Sequence, residues 1–546
     1  METQVGILDI SIIVAFIALI VWWALRNQKN SNAGDYFLAG KSQNLLVIGL
    51  SLFAASISSS TLIGHSGEAF ISGFAVFNYN VGAVFVIVFV SLFFLPFYIK
   101  SGIYTIPEYL GRRFDNRSRK YFSLITLIGN VFLDAGAALF TGALILKMMF
   151  PAIDMMWVII GMGVMAGVYT IIGGLSSAIN ADMIQSVVLI VGSIILSYLC
   201  FDAVGGWTEF AARFEDGVWM NLIRPASDTT VPWFAIFVSI PVLGFYFWGN
   251  NQVIVQRVLS AKSVNEGRVG FLFVALLYIF TLFIFMTPGM VARAIDIFGL
   301  GTPLPNEIID GNTLKTTYGI DTNEVYPRLI LQLLPTGLIG LMIAVMISAL
   351  TSTLSATLNS VSTLFTMDFY RGWRPNATSK ELVRVGQITS LVALVIAIVW
   401  APFISKFASL VAYYQEFASY LAPPIVGTFL LGLFWKRSTK NGAFMGLMSG
   451  LLMSAIIMIL KFGFQIVAPF HFLLWVPVLL FSSILVNIIF SLYDKKPESE
   501  VVEKYTWKKT LWHEESIELQ SIPWYKNFRY ISLLVLALAI LEYIVF

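Results

Sequence analysis

Two short stretches rich in serine and threonine lie inside segments that are otherwise apolar enough to cross a bilayer. The first runs from Ser51 to Gly64 and carries five hydroxyl side chains between Ser56 and Thr61; the second runs from Ser348 to Ser360. Hydroxyl side chains compete for backbone hydrogen bonds, and unwound carbonyls at membrane depth are tolerated where they line a cavity or hold an ion. The two stretches therefore favour an intramembrane binding site, although small hydroxylic residues also let helices pack closely.

The second stretch has the spacing of a cation cage. Ser352 and Thr353 are adjacent, and Ala349 lies about one helical turn before them. Both hydroxyls and the Ala349 carbonyl can therefore face one small volume. Hard cations prefer oxygen ligands. With further carbonyls supplied by the first stretch, these groups predict a five-oxygen cage suited to Na⁺.

Other polar residues also interrupt the apolar spans. The segment from Gly244 to Gln252 carries Phe247, Trp248 and Asn251, a combination that can hold a polar solute or form an aromatic belt at the membrane interface. Gln415, followed by Glu416, is costly at membrane depth unless it faces a wet interior. Asp182 either attracts cations on an exit path or is a solvated helix end. His65 is expected to line a pocket or bond within the core.

The composition of the chain indicates a membrane protein, whose helices would position these groups. The chain has 546 residues, 58% hydrophobic and only 12% charged, where a soluble domain has about 25% charged residues. We expect an all-α membrane protein with about fourteen transmembrane helices. The expected spans are 6–25, 45–68, 72–100, 120–148, 155–175, 181–203, 232–256, 269–296, 327–366, 382–402, 406–434, 440–461, 470–493 and 527–546. The first span is expected to be a retained anchor and not a cleaved signal peptide.

Lysine and arginine predict the topology. Basic clusters follow the first, third, seventh, ninth and eleventh spans, while the intervening loops are acidic. By the positive-inside rule these exits are cytoplasmic, which places both termini outside the cell. The charged and aromatic loop 494–526 is then cytoplasmic and is expected to lie at the lipid headgroups.

Several function classes are disfavoured by the sequence. The single cysteine, Cys200, excludes an internal disulfide and a multi-cysteine metal site, and the three histidines have no spacing suited to zinc. Hydrolase motifs are absent, so an intramembrane enzyme is disfavoured. The net charge of +3 and the lack of a basic run argue against nucleic-acid binding. No obligate protein partner is expected.

Motifs along most of the chain resemble the sodium:solute symporter family, in particular its sodium/glucose cotransporter branch, which includes the bacterial sodium/galactose transporter. They are Asp35-Tyr-Phe-Leu-Ala-Gly-Lys41, the Ser51–Gly64 stretch, Gly102-Ile-Tyr-Thr-Ile-Pro-Glu-Tyr109, Gly173-Gly-Leu-Ser176, Gln256-Arg257, Leu358-Asn-Ser360 with Met367-Asp368, and Phe429-Leu-Leu-Gly-Leu-Phe-Trp-Lys436.

The resemblance implies a leucine-transporter-type core of two inverted five-helix repeats. Its expected divisions are 1–44 for the first helix and linker, 45–230 and 231–438 for the repeats, and 439–546 for the last helices. It also implies a Na⁺ site formed by the carbonyls of Ala54, Ile57 and Ala349 and the hydroxyls of Ser352 and Thr353. Asp182 then corresponds to an aspartate linked to sodium release.

The resemblance implies a solute pocket that differs from that of the sugar carriers. Gln415, Tyr79 and Trp248 match the family pattern. Asn80 stands in place of a glutamate, Gly244 of an asparagine, Tyr278 of a lysine, Thr61 of a glutamine, and Phe247 of the inner-gate tyrosine. The full predicted solute set is Ser56, Thr61, His65, Tyr79, Asn80, Trp248, Asn251, Tyr278 and Gln415. These substitutions are expected to shift the preferred solute.

The predicted function is Na⁺-coupled import of a small polar solute, a sugar or polyol, across a plasma membrane, with a bacterial inner membrane as the expected location. The same fold carrying an amino acid, carboxylate or nucleoside is one alternative. A carboxylate would require a free cation near the pocket, and Tyr278 replaces the obvious one. A solute sensor without transport is the other alternative, and it would usually need an attached signalling domain.

Overall fold

The computed structural model describes residues 5–26, 32–150, 152–215, 218–228, 230–301, 304–305, 308–309, 311–406, 410–464 and 471–546. Within these ranges the chain is built from helices and loops, and its β-structure is confined to two isolated bridges. The first part of the chain contains α1 Ile7–Arg26, α2 Ala33–Leu38, α3 Leu45–Ser56, α4 Ser59–Ser72, α5 Asn78–Phe93, α6 Leu95–Ser101, α7 Ile106–Arg113, α8 Asn116–Ile128, α9 Gly136–Met149, α10 Met155–Val204 and α11 Trp207–Arg213.

The second part continues the helical architecture. It contains α12 Trp233–Phe237, α13 Ser239–Phe245, α14 Gln252–Leu259, α15 Val264–Ile279, α16 Thr287–Ala294, α17 Gly311–Tyr318, α18 Val325–Leu333, α19 Leu338–Leu364, α20 Arg371–Trp373, α21 Ser379–Trp400, α22 Leu410–Phe434, α23 Lys440–Met458, α24 Trp475–Tyr493, α25 Ser499–Tyr505, α26 Lys509–Leu519 and α27 Phe528–Val545. Short π-helical turns occur at Gly129–Ala135, Tyr246–Asn250, Leu282–Met286, Phe365–Tyr370 and Ile459–Gly463.

Helix α19 lies at the centre of the protein. In the apolar window of α19 and its π-helical extension 89% of residues are buried inside the protein, against 22% in α1 and in α27. A helix with little exposed surface is surrounded by other helices, whereas α1 and α27 have most of their apolar side chains on the outer surface. The hydroxyl-rich stretch 348–360 is therefore held in the protein interior.

Two spans are broken in the middle, as the sequence predicts. Between α3 and α4, Ile57 has φ −103° and ψ 92°, and Ser58 is also extended. Between the π-helical turn Tyr246–Asn250 and α14, Asn251 has φ −72° and ψ 122°, and its side chain caps the new helix at Val253. Hydroxyl and amide side chains begin a new helix at both places because they accept hydrogen bonds from its first N–H groups.

The helix α10 is bent sharply at Gly174, whose φ and ψ are 60° and −153°. A straight helix of 50 residues would be about 75 Å long, which far exceeds the thickness of a bilayer. Only glycine adopts this conformation readily, and a Cβ at Gly174 would lie 2.6 Å from the carbonyl oxygen of Tyr36. The bend therefore separates the two spans expected at 155–175 and 181–203 without an intervening loop.

The predicted number of fourteen spans is not confirmed as a count. By length and apolar composition, 11 helices in the described part of the chain can cross a membrane, or 12 if Val264–Ile279 and Leu282–Ala294 form one bent span. Residues 155–204 count once in this number although the non-helical Gly174 divides them into two helices, and Leu45–Ser56 is too short to count alone. The bend at Gly174 and the break at Ile57 therefore lower this count, and the exact number of spans stays a prediction.

The basic clusters that the charge pattern assigns to one side lie together at one end of the protein. The N–H of Gln43 donates to the carbonyl of Ser260 over 3.1 Å. Arg117 donates to Asn441 over 2.8 Å, and Arg119 pairs with Asp368 over 2.6 Å. Loop 494–526 packs against the same end. There it forms α25 and α26, and the Tyr505 carbonyl accepts a hydrogen bond from Tyr109. We call this the basic end.

Candidate functional site

The break between α3 and α4 releases two backbone carbonyls. In a continuous helix, the N–H of Ser58 would donate to Ala54 and the N–H of Thr61 to Ile57. Instead, the Ser58 N–H donates to the Thr61 hydroxyl over 3.3 Å, and the Thr61 N–H donates to the Ser58 hydroxyl over 3.0 Å. This reciprocal cap leaves the carbonyls of Ala54 and Ile57, both predicted Na⁺ ligands, without their helical donors.

The other three predicted ligands lie on α19, which packs against α3 and α4. The Thr353 hydroxyl donates to the Ala349 carbonyl over 3.0 Å, and the Ser352 hydroxyl donates to Asp182 over 2.5 Å. A hydroxyl that donates its proton to a neighbour keeps its oxygen lone pairs available. Both hydroxyls are thus arranged to offer lone pairs to a cation. Their contact with a Na⁺ ion remains a prediction.

Asp182 is the centre of a buried polar cluster and not a solvated helix end. Its side chain is fully buried on α10; one oxygen accepts from Ser352, and the other accepts from Ser51 over 2.6 Å and from Arg257 over 2.8 Å. Arg257 belongs to α14, directly after the second break. The cluster therefore ties both broken spans to α10 and α19. The sequence pattern includes Arg257 in a family motif but does not predict this role for it.

A cavity of about 190 Å³ lies between the two breaks. All nine predicted solute residues line it, and so do Phe247 and Thr353. The nine are Ser56, Thr61, His65, Tyr79, Asn80, Trp248, Asn251, Tyr278 and Gln415. Thr353, a predicted Na⁺ ligand, lines the cavity, and so does Ser56, which lies between the predicted ligands Ala54 and Ile57. The cavity and the predicted Na⁺ ligands are therefore adjacent.

One wall of the cavity is aromatic. The ring of Trp248 lies 5.1 Å from that of Tyr278, at 86°, and 5.3 Å from that of Phe247, at 80°. Edge-to-face packing of this kind holds rings rigidly. Polar groups complete the lining: Asn80 donates to Thr281 over 2.7 Å, and His65 bonds the Thr61 carbonyl over 2.9 Å. The His65 contact agrees with its predicted role as a bonded, pocket-lining residue.

The structure adds residues that the sequence analysis missed. Asp134, Tyr246 and Tyr414 also line the cavity. Asp134 sits in a π-helical turn, a distortion often found at functional sites. An acidic residue in the apolar span 120–148 was the available signal, since ionisable groups at membrane depth are functional by default.

Glu416 does not line the cavity, in contrast to its neighbour Gln415. Its carboxylate pairs with Lys461 and accepts a hydrogen bond from Tyr420 over 3.1 Å. The pair joins α22 to the π-helical turn after α23. The cost of Glu416 at membrane depth is thus offset by a partner on a neighbouring helix and not by a wet interior.

Comparison with known proteins decides the family. The family model described as "Sodium:solute symporter family" matches residues 36–450. The chain belongs to the sodium:solute symporter family. Its relatives include sodium/glucose cotransporter 1 of Oryctolagus cuniculus, 32% identical, with 94% of this chain and 83% of the relative covered. Sodium/myo-inositol cotransporter 2 of Bos taurus is 31% identical over 94% of this chain and 81% of the relative.

Solved structures confirm the fold of this family member. A Na⁺-coupled sialic acid symporter matches with a TM-score of 0.76 and 22% identity, covering 90% of this chain and 99% of that one. Mhp1, a nucleobase-cation-symport-1 family transporter, matches with a TM-score of 0.50 and 14% identity, over 89% and 99% of the two chains. The predicted leucine-transporter-type fold is thereby confirmed, and the protein is a multi-pass membrane transporter coupled to sodium, not an enzyme.

Proposed function

We propose that this symporter couples Na⁺ entry to the import of a sugar or polyol through the cavity between the two breaks. The observation that carries the proposal is that the break between α3 and α4 contributes both to the proposed Na⁺ site and to the solute cavity. It releases the carbonyls of Ala54 and Ile57 and, close to them in the chain, places Ser56 and Ser58 in the cavity wall. Relatives named as sodium/glucose and sodium/myo-inositol cotransporters support the solute class.

The proposed Na⁺ site consists of the carbonyls of Ala54, Ile57 and Ala349 and the hydroxyls of Ser352 and Thr353. A Na⁺ ion there would join α3 to α19. It would thereby fix the position of the break and of the cavity wall that the break forms. Sodium and solute then stabilise the same arrangement, so each raises the affinity for the other. Coupling of this kind typically amounts to about 1–3 kcal/mol.

Asp182 is proposed to orient the Ser352 hydroxyl and to offer a Na⁺ ion a path out of the cage. Because Arg257 balances its charge, the carboxylate is not a strong trap for the cation. Loss of the Arg257 contact would increase the attraction of Asp182 for Na⁺. Release towards the basic end is therefore proposed to involve movement of α14 away from α10.

The cavity chemistry favours a neutral, hydroxyl-rich solute. Its polar lining is made of amides, hydroxyls, the His65 imidazole, the Trp248 indole and one carboxylate, and its described lining includes neither lysine nor arginine. Among the described residues that line the cavity, an anionic solute would thus find no lysine or arginine to pair with. Aromatic rings facing amides and hydroxyls are well suited to a sugar ring or cyclitol, because the rings cover its apolar face while the polar groups bond its hydroxyls. Phe247 is proposed as a gate.

The orientation is proposed from the charge pattern. The basic end would face the cytoplasm of a bacterial cell, with both termini outside. The pair of broken helices, one in each of the proposed repeats 45–230 and 231–438, would rock against the remaining helices. Import along the sodium gradient follows from that orientation.

A ligand-binding assay tests the solute class. Tryptophan fluorescence of the purified protein is recorded while glucose, myo-inositol, a neutral amino acid and a carboxylate are titrated, each with Na⁺ and with K⁺ at equal ionic strength. We expect saturable changes with glucose or myo-inositol that are stronger in Na⁺. A response confined to the amino acid or the carboxylate would reject the sugar or polyol assignment.

A further inference from the structure

A second cavity, of about 390 Å³, lies at the basic end, away from the cavity between the two breaks. It is formed by α7 and α8 on one side and by the π-helical turn Phe365–Tyr370 with α20 on the other. Four basic side chains line it, those of Arg112, Arg119, Lys120 and Arg371. The predicted transport function uses none of these residues.

The two carboxylates in this cavity are each already paired with an arginine. Asp368 accepts from Arg119 over 2.6 Å, from Thr105 over 2.7 Å and from Ser123. Glu108 accepts from Arg112 over 2.6 Å and from the backbone N–H of Tyr104. These bonds pair Arg119 and Arg112 with one carboxylate each, so the paired groups carry no net charge.

Lys120 and Arg371 are the remaining charges. Both side chains are exposed, and neither forms an ion pair with a residue that the structure describes. The cavity therefore holds an excess of two positive charges, presented by different helices on its two sides. Two cations that line opposite sides of a water-accessible cavity favour an anion with several oxygens, and arginine matches the geometry of a phosphate group in particular.

An aromatic edge adjoins these charges. Phe365, Phe369 and Trp373 lie one helical turn apart, with ring centroids separated by 6.0–6.3 Å, and Trp373 is 63% exposed. Phe369 and Trp373 also line the cavity. Exposed tryptophan at the end of a membrane-spanning helix is typical of the headgroup layer. The cavity therefore has cationic groups beside a surface suited to acyl chains.

We propose that this cavity binds the phosphate group of an anionic phospholipid. Lys120 and Arg371 contact the phosphate, and the aromatic edge contacts the acyl chains. Basic pockets between membrane helices bind lipid headgroups by this chemistry. The aromatic edge favours a lipid over a soluble phosphate, which would use the charges alone. A bound lipid would connect α8 to the end of the span that begins with α19.

The test is titration of the full-length protein in detergent with phosphatidylglycerol or phosphatidylcholine, with bound lipids counted by native mass spectrometry. Three proteins are compared: the parent, the K120Q/R371Q variant and a K380Q/R384Q control. The control removes the same charge from exposed residues of α21 that do not line the cavity. Inorganic phosphate is added in a parallel series as competitor.

We expect the parent and the control to bind the first phosphatidylglycerol more tightly than phosphatidylcholine. Removal of both cavity charges should weaken that binding by about 30-fold. Equal weakening in the control would show general surface attraction and would overturn the site. Displacement of the lipid by inorganic phosphate at equal molar concentration would assign the cavity to a soluble anion and overturn the lipid assignment.

Discussion

The carboxylate of Asp182 joins the hydroxyl of Ser352, 2.5 Å away, to the guanidinium of Arg257, 2.8 Å away. The two partners sit on helices with different tasks, since α19 carries proposed Na⁺ ligands and α14 follows the break that forms the aromatic wall. A single buried carboxylate thus connects the proposed ion site to the second broken span. Movement of α14 must therefore change the contacts of Ser352 in the proposed ion site, and movement of α19 must change those of Arg257.

Replacement of Asp182 by asparagine is expected to destabilise the protein strongly. Arg257 would remain buried without a carboxylate, and breaking a buried ion pair on one side costs about 3–5 kcal/mol. Thermal unfolding of the purified variant measures the effect. The matched variant D182N/R257Q removes both charges and should recover most of the lost stability. If D182N is as stable as the parent, the pair contributes nothing to the fold.

The S352A/T353A variant is expected to lose its response to sodium. A ligand present at 100 times its dissociation constant stabilises the folded state by about 2.7 kcal/mol, so the parent should unfold at a higher temperature in Na⁺ than in K⁺. The double variant lacks two of the five proposed ligand oxygens and should show no such difference. Ser348→Ala is the control, because the Ser348 hydroxyl bonds Ala344 within its own helix. A parental Na⁺ shift in the double variant would place the ion elsewhere.

Replacement of Trp248 by alanine is expected to weaken solute binding by about threefold to tenfold, because the aromatic wall loses its largest ring. Trp248→Phe should retain part of the affinity. Trp157→Phe, at a residue 70% exposed on the surface, should retain all of it. Isothermal titration with the best solute from the fluorescence panel measures each constant. Unchanged affinity in Trp248→Ala would exclude the ring from the solute site.

Replacement of Gly174 by alanine is expected to prevent correct folding of the first repeat. The left-handed φ of 60° strains any other residue by about 1–3 kcal/mol, and the new Cβ would collide with the Tyr36 carbonyl. Gly161→Ala in the same helix is the control, because its new methyl group would meet no neighbouring atom within 4 Å. Size-exclusion profiles and unfolding temperatures separate the two. A well-folded Gly174→Ala protein would contradict the argument for the bend.

Much of the site was accessible from the sequence because its signals are local. Hydroxyls and glycines in an apolar span predict a helix break, and the structure has one at Ile57 and another at Asn251. The nine residues predicted for the solute pocket all line one cavity: five come from the two broken spans and the other four from α5, α15 and α22, which pack around them. Their roles in binding remain predictions.

The missed features depend on tertiary packing. Nothing along the chain shows that Asp182 meets Arg257, which lies 75 positions away, or that Glu416 turns from the cavity towards Lys461. Asp134 was overlooked because a lone acid gives no spacing pattern. The conformation of Gly174 was not foreseen either, although the bend falls at the junction of the two spans expected at 155–175 and 181–203.

Uptake into proteoliposomes tests sodium coupling most directly. Labelled glucose and myo-inositol are supplied outside vesicles that contain the parent protein, under an inward Na⁺ gradient or with the gradient dissipated by an ionophore. We predict accumulation of at least one of these solutes above its external concentration that requires the gradient and disappears in S352A/T353A. Accumulation that is indifferent to the Na⁺ gradient would contradict sodium-coupled symport.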